Sequence, residues 1–225
     1  MNTEHKSAEL QEYDALYASG DYSGGRAGYK NNFIRFIGES LKSLPLSRPK
    51  ILDIGCGDGF FTETLAKYGD VTATDFSEAG LKRASERLPA VKFFAHDLGQ
   101  PFPLEADSLD AAWCSEVLEH LFAPAFTAGE VFRVLKPGGI FMITVPYHGL
   151  LKNIGIALFA FEKHYNPEYP HIRFFTQKTM RQILERHGFV IEFMGSCGSE
   201  LGLRDLFVPT NILCVARKPK RQGRE

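Results

Sequence analysis

Residues 50–62 read Lys-Ile-Leu-Asp-Ile-Gly-Cys-Gly-Asp-Gly-Phe-Phe-Thr, an apolar run that breaks into glycines at 55, 57 and 59. Glycine lacks a Cβ, so this stretch can turn through left-handed backbone and present bare N–H groups to a ligand. With a strand before it and a helix after it, the pattern builds a nucleotide-cofactor site. Phe60 stands where the dinucleotide fingerprint G-x-G-x-x-G needs its third glycine, so G-x-G-x-G preceded by Asp53 disfavours a dinucleotide. Asp75 closes the next β-branched run, Val71-Thr72-Ala73-Thr74. An ionised carboxylate can accept from two vicinal hydroxyls, which suits a ribose at a strand tip; an Asp that merely opens the turn before Ser77 is the alternative. Further on, Glu116, Glu119 and His120 stand at i, i+3, i+4, a spacing that would put three ligands on one helical face.

The elements that must hold these groups alternate. Strands are expected at 51–54, 71–75, 91–95, 110–114 and 140–145, with helices at 60–68, 77–87 and 126–135 between them. Ser77 suits an N-cap, and Lys136-Pro137-Gly138-Gly139 breaks the helix before the fifth strand. A helix capped by Thr176 and ended by Gly188, and strands at 189–194 and 211–216, complete seven strands. The fold class is therefore α/β, a Rossmann-like, mostly parallel sheet with helices on both faces and an antiparallel last strand.

Residues 1–225 read as one domain, with 1–49 as N-terminal helices and flap and 50–146 as the cofactor-binding core. Residues 147–175 form an acceptor-side insertion, 176–216 the last helix and strands, and 217–225 a solvated basic tail. Phe33, Ile37, Leu41 and Leu44 make a stripe that packs on the sheet. Asp21 to Tyr29 suits a flap, with Tyr22 and Arg26 able to meet a cofactor's amino-acid end. The apolar run after Gly149 is interrupted by Lys152 and Asn153 and is too short to span a bilayer; it reads as a lid, a lipid-facing surface or a dimer contact, with simple packing on the core as the plainest alternative.

A net charge of −1 on 225 residues provides no overall field for nucleic acid or an anionic membrane. Cys56, Cys114, Cys197 and Cys214 form no C-x-x-C pair, which points to reduced, buried thiols. The polar start, with Glu4, His5, Lys6 and Glu9, is no secretory signal, so a cytoplasmic location is expected.

Residues 50–146 resemble the core of the class I S-adenosylmethionine (SAM)-dependent methyltransferases, the broad family that includes the ubiquinone-biosynthesis O-methyltransferases. The resemblance is carried in order by Asp-Ile-Gly-Cys-Gly-Asp-Gly at 53–59, Asp75-Phe76-Ser77, Asp97-Leu98, Ser-Glu-Val-Leu-Glu-His at 115–120 and Leu-Lys-Pro-Gly-Gly at 135–139. It implies that Asp53, Gly55, Cys56, Gly57 and Gly59 back the cofactor and that Asp75 takes the ribose. It further implies that Asp97 and Leu98 read the adenine, Phe76 flanks the ring, and Glu116 lies near the methionine end. SAM would be the donor and S-adenosylhomocysteine (SAH) the product.

Methyl transfer from a sulfonium is a direct displacement that requires no metal, but a hydroxyl acceptor calls for a nearby base, often a histidine near neutrality. His148 and His171 are the candidates; a structural histidine bonded to a backbone carbonyl is the other reading of each. The expectation is a SAM-dependent methyltransferase acting at a hydroxyl oxygen of a small molecule, as monomer or homodimer, without nucleic acid. The alternatives are a non-catalytic SAM-binding subunit, or methylation at nitrogen, at carbon or on a protein.

Overall fold

The computed structural model describes residues 14–15, 27–166, 171–198 and 209–220. Helix α1 (Ala27–Lys42) precedes β1 (Lys50–Ile54), α2 (Phe60–Leu65), β2 (Asp70–Asp75), α3 (Glu78–Arg87), β3 (Lys92–Ala95) and β4 (Leu109–Ser115). A 3₁₀ turn (Leu118–His120), α4 (Pro124–Val134), β5 (Leu135–Pro146), α5 (Leu150–Phe159) and α6 (Phe161–His164) follow. Helix α7 (Gln177–Arg186), β6 (Val190–Cys197) and β7 (Asn211–Arg217) complete the described elements.

Seven strands form one sheet in the order β3-β2-β1-β4-β5-β7-β6. Pairing is parallel from β3 to β5, while β7 runs antiparallel between β5 and β6. The central strands β1 and β4 are covered on both faces, hence their near-continuous apolar sequence. On one face Leu52, Ile54, Cys114, Val131, Phe141 and Leu184 pack together; on the other Phe33, Ile37, Ile51, Trp113 and Met142 do. The stripe expected on the first helix is thus buried, with Leu44 just beyond its end.

The chain runs outward from β1 through β2 to β3, then returns to β4 and runs the other way. Open α/β sheets bind ligands at such a reversal, beyond the carboxyl ends of the strands. Register pairs Ile54 with Cys114, so the loop after β1 and the turn after β4 emerge side by side.

Three sequence expectations are corrected. Helix α2 ends at Leu65 rather than 68, because the chain must return beside Pro49: Asp70 N–H donates to its carbonyl at 2.9 Å, and a Cβ on Gly69 would lie 2.1 Å from that oxygen. The Lys136-Pro137-Gly138-Gly139 break falls inside β5, absorbed as a register shift between the Leu109–Leu135 and Ala111–Ile140 pairs. Arg217 and Lys218 are not a solvated tail. Arg217 pairs with Glu192 in β6, and the Lys218 ammonium donates to Asp107 at 2.6 Å and to the carbonyls of Phe132 and Leu135 at 2.7 Å each.

The insertion holds α5 and α6. Helix α5 is inverted: its Lys152 and Asn153 side chains turn inward, donating to the carbonyls of Tyr147 at 2.9 Å and His148 at 3.1 Å. Leu158 is 68% exposed and Phe159 87%. Asp21 to Arg26, with the proposed flap contacts Tyr22 and Arg26, lie outside the described residues.

Candidate functional site

Gly55, Gly57 and Gly59 have φ of 70°, 53° and 83°, the left-handed region that their lack of a Cβ permits. Gly55 has a second reason to be glycine, since a Cβ there would lie 2.3 Å from Val117 Cγ2. The loop after β1 and the turn after β4 are therefore in direct contact.

Asp75 is buried at the tip of β2 and clasps that loop. Its Oδ2 accepts from Gly57 N–H at 2.8 Å and its Oδ1 from Ser77 N–H at 3.0 Å. It closes the turn before Ser77, the alternative reading of this residue, and also holds the glycine loop. Burial pushes its carboxyl up, against the backbone N–H groups that favour the anion. Ser77 caps α3 by accepting from Gly80 N–H at 3.1 Å and donates to the Asp14 carboxylate, which also accepts from Ala79 N–H at 3.3 Å.

Asp53 sits beneath the loop and accepts from the Thr62 hydroxyl at 2.6 Å; burial pushes its carboxyl up to about 7. Its side chain thus fastens the loop to α2. Cys56 is buried, with its thiol pushed up by burial and by the nearby Asp53 and Asp75. Asp97 is half-buried and accepts from Gly99 N–H at 2.9 Å, forming the turn after β3. Leu98 packs on the core and its carbonyl accepts from Thr127 at 3.2 Å, which fixes the backbone beside Asp97. Phe76 lies between Asp75 and the Ser77 cap, half-buried.

Glu116 has φ of 54°, rare for a residue with a side chain. Its carboxyl is held by Thr144 Oγ1 at 3.0 Å and Asn211 Nδ2 at 2.9 Å. Burial raises its pKa, opposed by these two bonds and by the charge of Lys152. Tyr29 of α1 is raised by its own burial and by Glu116, so the first helix closes this side of the site.

The three-ligand helical face of Glu116, Glu119 and His120 does not form, because Glu116 stands outside the short 3₁₀ turn with its own partners. Instead Glu119 and His120 meet His171, with ligand atoms within 4.8 Å of one another. Glu119 is 1% exposed, and neither carboxylate oxygen has a hydrogen-bond partner among the described residues. His120 Nε2 and His171 Nε2 lie 3.9 and 4.0 Å from its Oε1. Imidazole and carboxylate together are a donor set suited to a divalent transition ion.

His148 is buried and packs edge-on to Phe174, with ring centroids 4.8 Å apart. Burial lowers its pKa to about 4, assisted by Lys152 and His164. His171 also falls to about 4, by burial and then by His120, His148, Lys152 and His164. The expected base near neutrality is corrected accordingly: both imidazoles are neutral at physiological pH and weakly basic.

The family description "methyltransferase domain" matches residues 52–143, the segment holding the glycine loop, the clasp and Glu116. Residues 52–143 thus match the methyltransferase-domain family. The chain is similar to a ubiquinone biosynthesis O-methyltransferase from Psychrobacter cryohalolentis, 30% identical over 122 residues, covering 51% of this chain and 48% of that protein. It is also similar to a malonyl-[acyl-carrier protein] O-methyltransferase from Serratia marcescens, 33% identical over 149 residues, covering 62% and 54%. The chain thus spans about half the length of these relatives. The methyltransferase fold extends well beyond the matched core. The [4+2]-cyclase SpnF superposes with a TM-score of 0.72 at 20% identity, covering 93% of this chain and 95% of its own. A SAM-dependent methyltransferase from Mesorhizobium loti superposes with a TM-score of 0.63 at 24% identity, covering 81% and 97%.

Sequence reasoning missed four residues of the candidate site: Asp14, Thr144, Lys152 and Asn211. Lys152 left a trace, a cation interrupting an apolar run. The others carry no local signal, because their partners lie at least 28 positions away in the chain.

Proposed function

We propose that this chain is a SAM-dependent methyltransferase that methylates a small molecule at oxygen. The observation that carries the reading is the clasp between Asp75 and Gly57, which fixes a left-handed glycine loop at the sheet's reversal point. The loop's N–H groups and φ values suit a ligand resting on bare backbone, so the residues fit the cofactor. When bound, SAM supplies a sulfonium methyl: the acceptor oxygen forms the new C–O bond as the C–S bond breaks, its electron pair stays on sulfur, and SAH leaves.

In this reading Gly55, Gly57 and Gly59, with Asp53 and Cys56 beneath them, shape the floor, and the free lone pairs of Asp75 accept the ribose hydroxyls. Asp97 and the Leu98 backbone take the adenine edge, Phe76 flanks it, and Glu116 faces the methionine end. His148 and His171 line the acceptor side, where each can accept a proton as neutral imidazole. The named O-methyltransferase relatives support oxygen as the target. Among the described residues no helix is long and apolar enough to cross a membrane.

Calorimetric titration with SAM, SAH and NAD, followed by labelled-methyl transfer to a panel of hydroxylated, amino and carboxylic acceptors, tests this. Binding of SAM and SAH with label fixed at oxygen is the expected result. Binding of NAD alone overturns the cofactor, and SAM binding with no labelled product across the panel favours a SAM-binding subunit.

A further inference from the structure

We infer that Lys152 selects an acceptor whose reacting oxygen is acidic, a phenol- or carboxylic-acid-type hydroxyl, and holds that oxygen as an anion. The inference rests on the proposed methyl transfer and adds the acceptor's chemical class to it.

Lys152 is the one charged residue of α5, and the helix turns it inward while Leu150, Leu151, Ile154, Leu158 and Phe159 face outward. An ordinary surface helix does the reverse, since an ammonium loses hydration when buried and a leucine gains. The Lys152 ammonium donates to the Tyr147 carbonyl at 2.9 Å, its one hydrogen-bond acceptor among the described residues. It forms no ion pair within 4.0 Å there either, and the nearby Glu116 carboxylate accepts instead from Thr144 and Asn211. A half-buried cation therefore keeps N–H groups available near the Glu116 turn, which Val117 links to the glycine loop.

The groups that face this cation come from every neighbouring element: Glu116 after β4, His148 after β5, His164 on α6 and His171 before α7. Tyr29 of α1 faces Glu116 from the other side. His148 is held neutral by burial, too weak a base to ionise an aliphatic alcohol. A fixed ammonium does different work: it stabilises negative charge on an oxygen that ionises readily, and the proton leaves to solvent. Lys152 and its neighbours thus suit an acidic hydroxyl and not an alcohol.

The test uses 4-nitrophenol, whose visible absorbance reports its ionised fraction, titrated against pH in protein saturated with SAH. Benzyl alcohol, of similar size but without an acidic hydroxyl, serves as competitor. The expected result is a bound probe that ionises at least one pH unit lower than free probe, a tenfold preference for the anion, and resists displacement by benzyl alcohol. Lys152→Met should abolish the shift and Lys152→Arg should retain it. Failure of 4-nitrophenol to bind, an unshifted titration in the wild type, or a shift that persists in Lys152→Met overturns the assignment. The wild-type titration decides even where a variant folds poorly. SAH binding measured in parallel separates the two ideas: retained binding with an unshifted probe removes only the role of Lys152, and absent binding removes the methyltransferase reading itself.

Discussion

The Asp75 carboxylate bridges two segments, with Oδ2 on the Gly57 N–H at 2.8 Å and Oδ1 on the Ser77 N–H at 3.0 Å. One side chain therefore sets the distance between the glycine loop and the start of α3. Asp75→Ala should weaken SAH binding by about 1.5–3 kcal/mol, the range for a hydrogen bond to a charged group. Isothermal calorimetry measures this directly, and an unchanged affinity would remove Asp75 from the ribose.

A pH effect follows from Asp53. Burial lifts its folded pKa to about 7, well above the ordinary carboxylate value. Between those two values the folded chain holds a proton that the unfolded chain has released, so stability falls as pH rises towards about 7 and levels off above it. Asp53→Asn removes the charge and still offers an oxygen to Thr62. Its melting temperature should match the wild type near pH 4 and exceed it at pH 8; an equal difference at both would refute the buried, elevated acid.

Gly55 has no room for a methyl group, with left-handed φ and Val117 Cγ2 in the way. Gly55→Ala should lower stability by about 1–3 kcal/mol through backbone strain and the clash. Adding Val117→Ala should recover the part due to the clash and leave the part due to φ. Denaturant unfolding of the single and double variants separates the two, and full stability in Gly55→Ala would contradict the contact.

His171 lies beside the buried Glu119, and the proposed reading assigns it to the acceptor. His171→Ala should lower turnover while leaving SAH affinity nearly unchanged, as expected for a group that acts on the acceptor and not on cofactor binding. Turnover equal to the wild type would assign it a structural role.

The parallel half of the sheet was readable because buried central strands show unbroken apolar runs and the helices between them carry caps: Ser77 and Thr176 both cap as their positions suggested. Asp75 was readable because its chemistry sits at a strand tip. Less readable was whatever depended on partners distant in sequence. His120 and His171 meet only because Ile172 and Arg173 N–H groups dock on the Glu119 carbonyl at 3.0 Å each. The depressed basicity of His148 likewise comes from burial beneath an insertion whose helices cover it, which local pattern does not encode. The inward turn of Lys152 runs against amphipathic patterning, and such reversals concentrate where a site has to be furnished.

Strand β7 lies between β5 and β6 although it is synthesised after both. During translation the parallel half can assemble while the outer edge of β5 waits for a neighbour, and β6 cannot join the sheet until β7 arrives. Asn211, the first residue of β7, also bonds Glu116. Completion of the Glu116 side of the candidate site is thereby tied to the arrival of β7, and a nascent chain lacking β7 would offer chaperones an unpaired strand edge.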